Sequence, residues 1–266
     1  MKDTLKIRDK ILLTLIILTS MGINRIAEGG EYPAKDISEK QVREDGIDFT
    51  GRGNEPFWSL AIDFEKGIQF RTMEGLKIET ASLAIHQAQD APVTRISGQN
   101  ESAELIITII QETCNDTMAD EVFRYSVAVE VNMERQEESK VFKGCGDYAP
   151  DYRLHDIWVL VAIDEEPIES YLNENKGNPV FEVFVEEGRV SGHLGCNNFN
   201  VGFYRTGVDQ LYFEEFAVTR MMCEDMELEE RILKSVPGRI LRYRLDGNML
   251  ILENYEGIQL NFKKVD

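Results

Sequence analysis

Gly192-His193-Leu194-Gly195-Cys196-Asn197-Asn198-Phe199, answered by Thr219-Arg220-Met221-Met222-Cys223, is the stretch whose reading decides the fold. It places one cysteine in a Gly/Asn turn and a second at a helix entrance, inside a run of short alternating strands. The helix is expected over 224–236. Met226, Leu228, Ile232, Leu233 and Val236 share one broad apolar face, while Glu227, Glu229, Glu230, Arg231 and Lys234 supply polar contacts. Acidic residues crowd its start and Lys234 lies near its end, as the helix dipole prefers, and Pro237-Gly238 stops it.

Strands flank this core on both sides. Ile157 to Ile163 and Val180 to Val185 read as strands, with Glu186-Glu187-Gly188 turning into Arg189-Val190-Ser191, and Leu211 to Phe216 is another. The end of the chain is a meander. Leu241, Tyr243 and Leu245 alternate, Asp246-Gly247-Asn248 turns, Met249 to Leu252 returns, Tyr255-Glu256-Gly257 turns, and Ile258, Leu260 and Phe262 alternate again.

The first half carries the same period of two. Trp58, Leu60, Ile62 and Phe64 alternate with polar or small residues, and Glu65-Lys66-Gly67 turns the chain into Ile68, Phe70 and Thr72. Phe123, Tyr125, Val127, Val129 and Val131 form the cleanest half-buried strand, and the apolar run Leu105 to Ile110 reads as a buried one. The boundary falls at Tyr148 to His155, around Pro150. The expected fold is therefore mainly β: two small antiparallel β-sheet or barrel-like domains, 47–149 and 155–266, the second an α+β domain with one packed helix.

Residues 1–22 read as an export signal. Lys2, Lys6, Arg8 and Lys10 precede an apolar run, Ile11 to Thr19, which ends near Ile23 and is shorter than the roughly 20 residues that span a bilayer. Ser20-Met21-Gly22 offers a cleavage site after Gly22. A periplasmic location follows, with an uncleaved inner-membrane anchor as the alternative. The first cysteine is Cys114, so no lipid anchor is expected. Residues 23–46 are polar and charged, which suits a flexible spacer. In an oxidising compartment the four cysteines read as disulfides with three possible pairings. Proximity favours Cys114 with Cys145 and Cys196 with Cys223, each bridge contributing about 3 to 4 kcal/mol in the chain-entropy model.

At this point the residues carry a resemblance. Trp158-Val159-Leu160, Pro179-Val180-Phe181, Val190-Ser191-Gly192, Gly195-Cys196-Asn197, Thr219-x-Met221-x-Cys223, the acidic helix and the paired hairpins resemble the META domain, the module of the heat-shock protein HslJ group. The resemblance covers nearly all of 155–266. One departure is Val201, where the family usually has a glycine; Gly202 follows one step later. Gly53-Asn54-Glu55-Pro56-Phe57-Trp58, the segment Cys114 to Asp120 and Gly144-Cys145-Gly146 resemble an uncharacterised bacterial envelope domain that travels with META or lysozyme-inhibitor-like modules. That second resemblance covers roughly 48–149 and implies a small antiparallel β domain without an established activity.

The net charge of −19 is spread over both halves, and no Lys/Arg stripe interleaved with aromatics is present, which argues against nucleic acid. The nucleophile-elbow, zinc-protease, phosphate-loop and dinucleotide motifs are missing from the sequence. A zinc reading would enlist His193, Cys196 and Cys223, but cysteines in a disulfide do not ligate metal. Glu186/Glu187, Glu214/Glu215 and Asp116/Asp120 are the carboxylate pairs to consider, with Asp116 or Asp120 also readable as a cap or turn residue. No catalytic residue, metal or cofactor is expected. The preferred reading is an exported, non-catalytic envelope protein, a stress-related binding or protective module whose partner is an envelope protein or cell-wall component. An inhibitor of a cationic hydrolase such as lysozyme is the alternative, since an acidic surface speeds encounter with a basic cleft. An undetected hydrolase is the third.

Overall fold

The computed structural model describes residues 46–87, 93–116, 120–136, 138–172, 177–223 and 225–265. The expected export signal and nearly all of the spacer lie outside the described residues. The described part belongs to one compact unit, Tyr32–Asp266.

Two antiparallel sheets account for most of it, and no strand is shared between them. The first contains β1 (Phe49–Asn54), β2 (Phe57–Asp63), β3 (Gly67–Thr72), β4 (Lys77–Thr80), β5 (Ala84–Gln87), β6 (Val93–Gln99), β7 (Ala103–Asp116), β8 (Glu121–Met133) and β9 (Lys140–Tyr148). Its order is β4-β3-β2-β1-β9-β8-β7-β6-β5, an open sheet curled around Phe49, Trp58, Phe70, Leu105, Ile107 and Val129. The hairpin β2–β3 and the strand β8 form where their alternation predicts. Leu105 to Ile110 differs from expectation. Leu105, Ile107 and Ile109 are buried, but Ile106, Thr108 and Ile110 are only partly covered, so the run is one-sided. Its second face lies on the outside of a sheet packed on one side only.

The second sheet contains β10 (Ile157–Ile163), β11 (Glu166–Pro167), β12 (Val180–Phe184), β13 (Arg189–His193), β14 (Asn198–Arg205), β15 (Gln210–Phe213), β16 (Ala217–Val218), β17 (Arg239–Asp246), β18 (Met249–Glu253) and β19 (Gln259–Lys264). Pairing of β10 with β19 closes eight of these strands into a barrel, with β11 added on β10 and β16 on β14. Closure needs a bulge. The β10–β19 register shifts between Leu160 and Ala162, so Trp158, Leu160 and Ile163 all point inward although two residues separate the last pair. Side chains fill the interior, among them Trp158, Phe181, Phe199, Phe213, Leu241 and Phe262.

The one α-helix among the described residues, α1 (Glu227–Ser235), lays Leu228 and Ile232 on this core. It starts at Glu227, later than the expected 224, and the Glu227 N–H donates to the Asp225 carboxylate at 3.0 Å. Phe216 was expected at the end of a strand; β15 stops at Phe213, and Phe216 instead stacks on Phe199 at 4.8 Å. Val201 is buried in β14, and Gly202 continues the same strand, so the displaced glycine leaves the Gly-Cys-Asn turn unaffected.

Candidate functional site

The turn Gly195-Cys196-Asn197 and the segment 219–223 come together on one side of the barrel, joined by the Cys196–Cys223 disulfide. Gly195 adopts φ +108°, a conformation that side-chain-bearing residues rarely adopt, and this aims Asn197 inward. Asn197 is 2% exposed, and its amide uses its full hydrogen-bonding capacity. Its Nδ2 donates to Met221 O (3.2 Å) and to Glu229 Oε1 (2.8 Å). Its Oδ1 accepts from Met221 N (2.7 Å) and Thr219 Oγ1 (2.9 Å). Glu229, on α1 and 3% exposed, also accepts from the Asn197 main-chain N–H through Oε2 at 2.9 Å.

Glu229, expected among the polar contacts of the helix, makes them from a buried position as the anchor of this clamp. The signal was present in its spacing, since it falls three residues from both Met226 and Ile232 and so shares their face. The clamp and the disulfide fix both sides of Met222, which is 99% exposed, while Met221 beside it is 53% exposed. Two apolar side chains are thereby displayed on a backbone held on both sides of Met222.

His193 ends β13 opposite Asn198, and burial lowers its pKa. Both cysteines of the zinc reading are in the disulfide, and among the described residues no group of three His, Cys, Asp or Glu is placed to hold a metal ion.

The other bridge, Cys114–Cys145, links β7 to β9 across β8. Gly144, just before Cys145, permits the close approach of β1 to β9, because a Cβ there would lie 1.9 Å from the Arg52 carbonyl oxygen. Asp116 is not a cap or turn residue. It is buried and accepts from Arg52 Nε at 3.0 Å and from Asn54 Nδ2, while Arg52 also pairs with Glu121 and lies over Phe123. Asp120 takes the turn role, at φ +52°. Of the remaining carboxylate pairs, Glu187 binds Arg189 at 2.8 Å, and Glu214 and Glu215 are exposed. Thr117, Met118 and Ala119 lie outside the described residues.

A cleft of about 420 Å³ opens where the two sheets meet, lined by Asp48, Phe64, Lys66, Asp151, Arg153 and Arg205. Arg205, at the end of β14, has only 4% of its side chain exposed. It donates to Asp48 Oδ1 (2.7 Å), Gly207 O (3.0 Å) and Val208 O (2.6 Å). Asp48 in turn accepts from Phe64 N at 2.7 Å. Lys66 and Arg153 bind Asp63 and Asp151 at 2.8 and 2.7 Å. Each cation in the cleft is thus held by a carboxylate, which makes the cleft a junction rather than a charged receptacle.

Tyr243 Oη donates to Asp151 Oδ2 at 2.8 Å. Burial pushes the Asp151 carboxyl up, but the hydrogen bonds from Arg153 and Tyr243 outweigh it and hold the pKa below its usual value. The Asp48–Arg205 pair spans 157 residues of sequence and carries no local signal.

Comparison with known proteins adds to this geometry. No curated protein matches the chain. A solved chain described as an NMR structure of a protein is similar at 26% identity, over 41% of this chain and 89% of that one, with a TM-score of 0.34. A family match coincides with the closed barrel, its helix and the clamped turn: residues 150–266 match the META domain.

Proposed function

We propose that this protein is an exported, non-catalytic binding protein of the cell envelope. In this reading a stress-related META module of the HslJ type is joined to a second β domain, and its partner is an envelope protein or cell-wall component. The observation that carries the reading is the clamp. A buried amide, a buried carboxylate and a disulfide hold Met221 and Met222 out on the surface. Apolar side chains presented rigidly lose little conformational entropy on docking, which favours a binding role. The two disulfides support export, because such bonds persist in oxidising compartments.

The test has two arms. Osmotic-shock release from the producing cell should yield a chain starting near Ile23 with both bridges intact; an intact Met1 in the membrane fraction, or reduced cysteines in a cytoplasmic fraction, would overturn export. A photo-crosslinking residue at position 222, introduced in cells under heat or oxidant stress, should capture a discrete adduct that the same residue at position 73 does not. The same adducts at both positions, or none, would overturn a binding surface at the clamp.

A further inference from the structure

We propose that Met222, with Met221 beside it, is a methionine oxidation site at which a peroxide changes the chemistry of the surface while the fold stays intact. The site is chemically set apart. All four cysteines are in disulfides, so thioethers are the reduced sulfur of the described structure. Met222 is 99% exposed, against 64% for Met73, whereas Met133, Met226 and Met249 are partly buried. Susceptibility to oxidation follows exposure, so peroxide reaches Met222 before those three.

The fold is insulated because the clamp grips main-chain atoms of Met221 and the Cys223 sulfur, and uses neither thioether. In the reaction the sulfur lone pair attacks one peroxide oxygen and the O–O bond breaks. The thioether becomes a sulfoxide, oxidised by two electrons, and the peroxide is reduced to water. Return to the thioether takes two electrons from a thiol-dependent sulfoxide reductase and releases the oxygen as water. The sulfoxide is polar, so the exposed tip switches from apolar to hydrogen-bonding. The inference stands independently of the partner proposed above.

The test treats the folded full chain with hydrogen peroxide, quenches with catalase and maps each methionine by mass spectrometry. Met222 is expected to oxidise about tenfold faster than Met249 or Met133, with Met73, 64% exposed on the β3–β4 turn, as the unclamped reference. Near-UV circular dichroism should stay unchanged, and the two epimer-specific methionine sulfoxide reductases together should restore the thioether in the folded chain. Oxidation of Met222 no faster than Met249, loss of the near-UV signal in step with it, or refractory sulfoxide would each overturn the proposal.

Discussion

The two sheets solve the same edge problem in different ways. The barrel joins β10 to β19, so main-chain groups at both ends of the sheet find partners in each other. The first sheet ends on β4 and β5, and side chains have to finish it. Asn100 Nδ2 donates to Glu79 O on β4 at 2.9 Å, Thr80 Oγ1 accepts from Ile68 N at 3.1 Å, and both end strands are only four residues long. Lys77 and Glu79 place charge on the outer face of β4, a usual guard against strand addition by another chain. Closure makes the barrel a rigid support, and the Met loop is mounted on it. The open sheet meets it through the Asp48–Arg205 bond.

The largest test of this contrast is to cut the junction. Arg205→Ala leaves Asp48 without its buried cation and should cost about 3 to 5 kcal/mol. Scanning calorimetry should then resolve separate transitions for the two sheets; an unchanged single transition would show that Arg205 does not couple them.

Next come the disulfides. Replacing Cys114 and Cys145 by serine, or Cys196 and Cys223, should each cost about 3 to 4 kcal/mol, since the sequence separations, 31 and 27, are similar. Peptide-resolved hydrogen exchange should place the first loss in β7–β9 and the second in the 219–226 loop and α1. Equal effects on both sheets from either pair would erase the distinction between them. Asn197→Asp sets a second carboxylate against Glu229 and removes the Nδ2 donor, and it should destabilise the barrel by about 3 kcal/mol in a denaturant titration.

Tyr243→Phe, by the same titration, should cost about 2 kcal/mol at neutral pH, the value of a hydrogen bond to a charged acceptor. The sign of its pH dependence follows from Asp151. The carboxyl's folded pKa lies below the ordinary 3.8, so its stabilising contribution is present above 3.8 and is lost as pH falls through the folded value. The gap between wild type and Y243F should therefore be widest above pH 3.8 and narrow below it. The smallest effect sharpens the edge argument. Lys77→Ala breaks only a surface pair with Glu79, so stability should move by less than about 0.5 kcal/mol. Self-association measured by sedimentation velocity should nevertheless rise; a strictly monomeric variant would show that the edge needs no charged guard.

Much of the local structure was legible from residue order. Period-two alternation in 58–64 and 123–131 places β2 and β8, Asp246-Gly247 marks the β17–β18 turn, and proximity selects the observed cysteine pairs. The partial failures have local causes. In β7 an unbroken apolar run hides its own alternation, and the helix begins only at Glu227, whose N–H donates to the Asp225 carboxylate.

The sequence by itself determined the strand period, the turns, the bridging cysteines and the resemblance to the META domain, because each rests on residues close together or on a repeated pattern. Only the tertiary structure decided that one sheet closes while the other stays open, that Asn197 is the partner Glu229 meets, and that Arg205 reaches Asp48. Those outcomes depend on which distant backbone and side-chain groups meet once water is excluded, where a polar group must find a partner from anywhere in the chain.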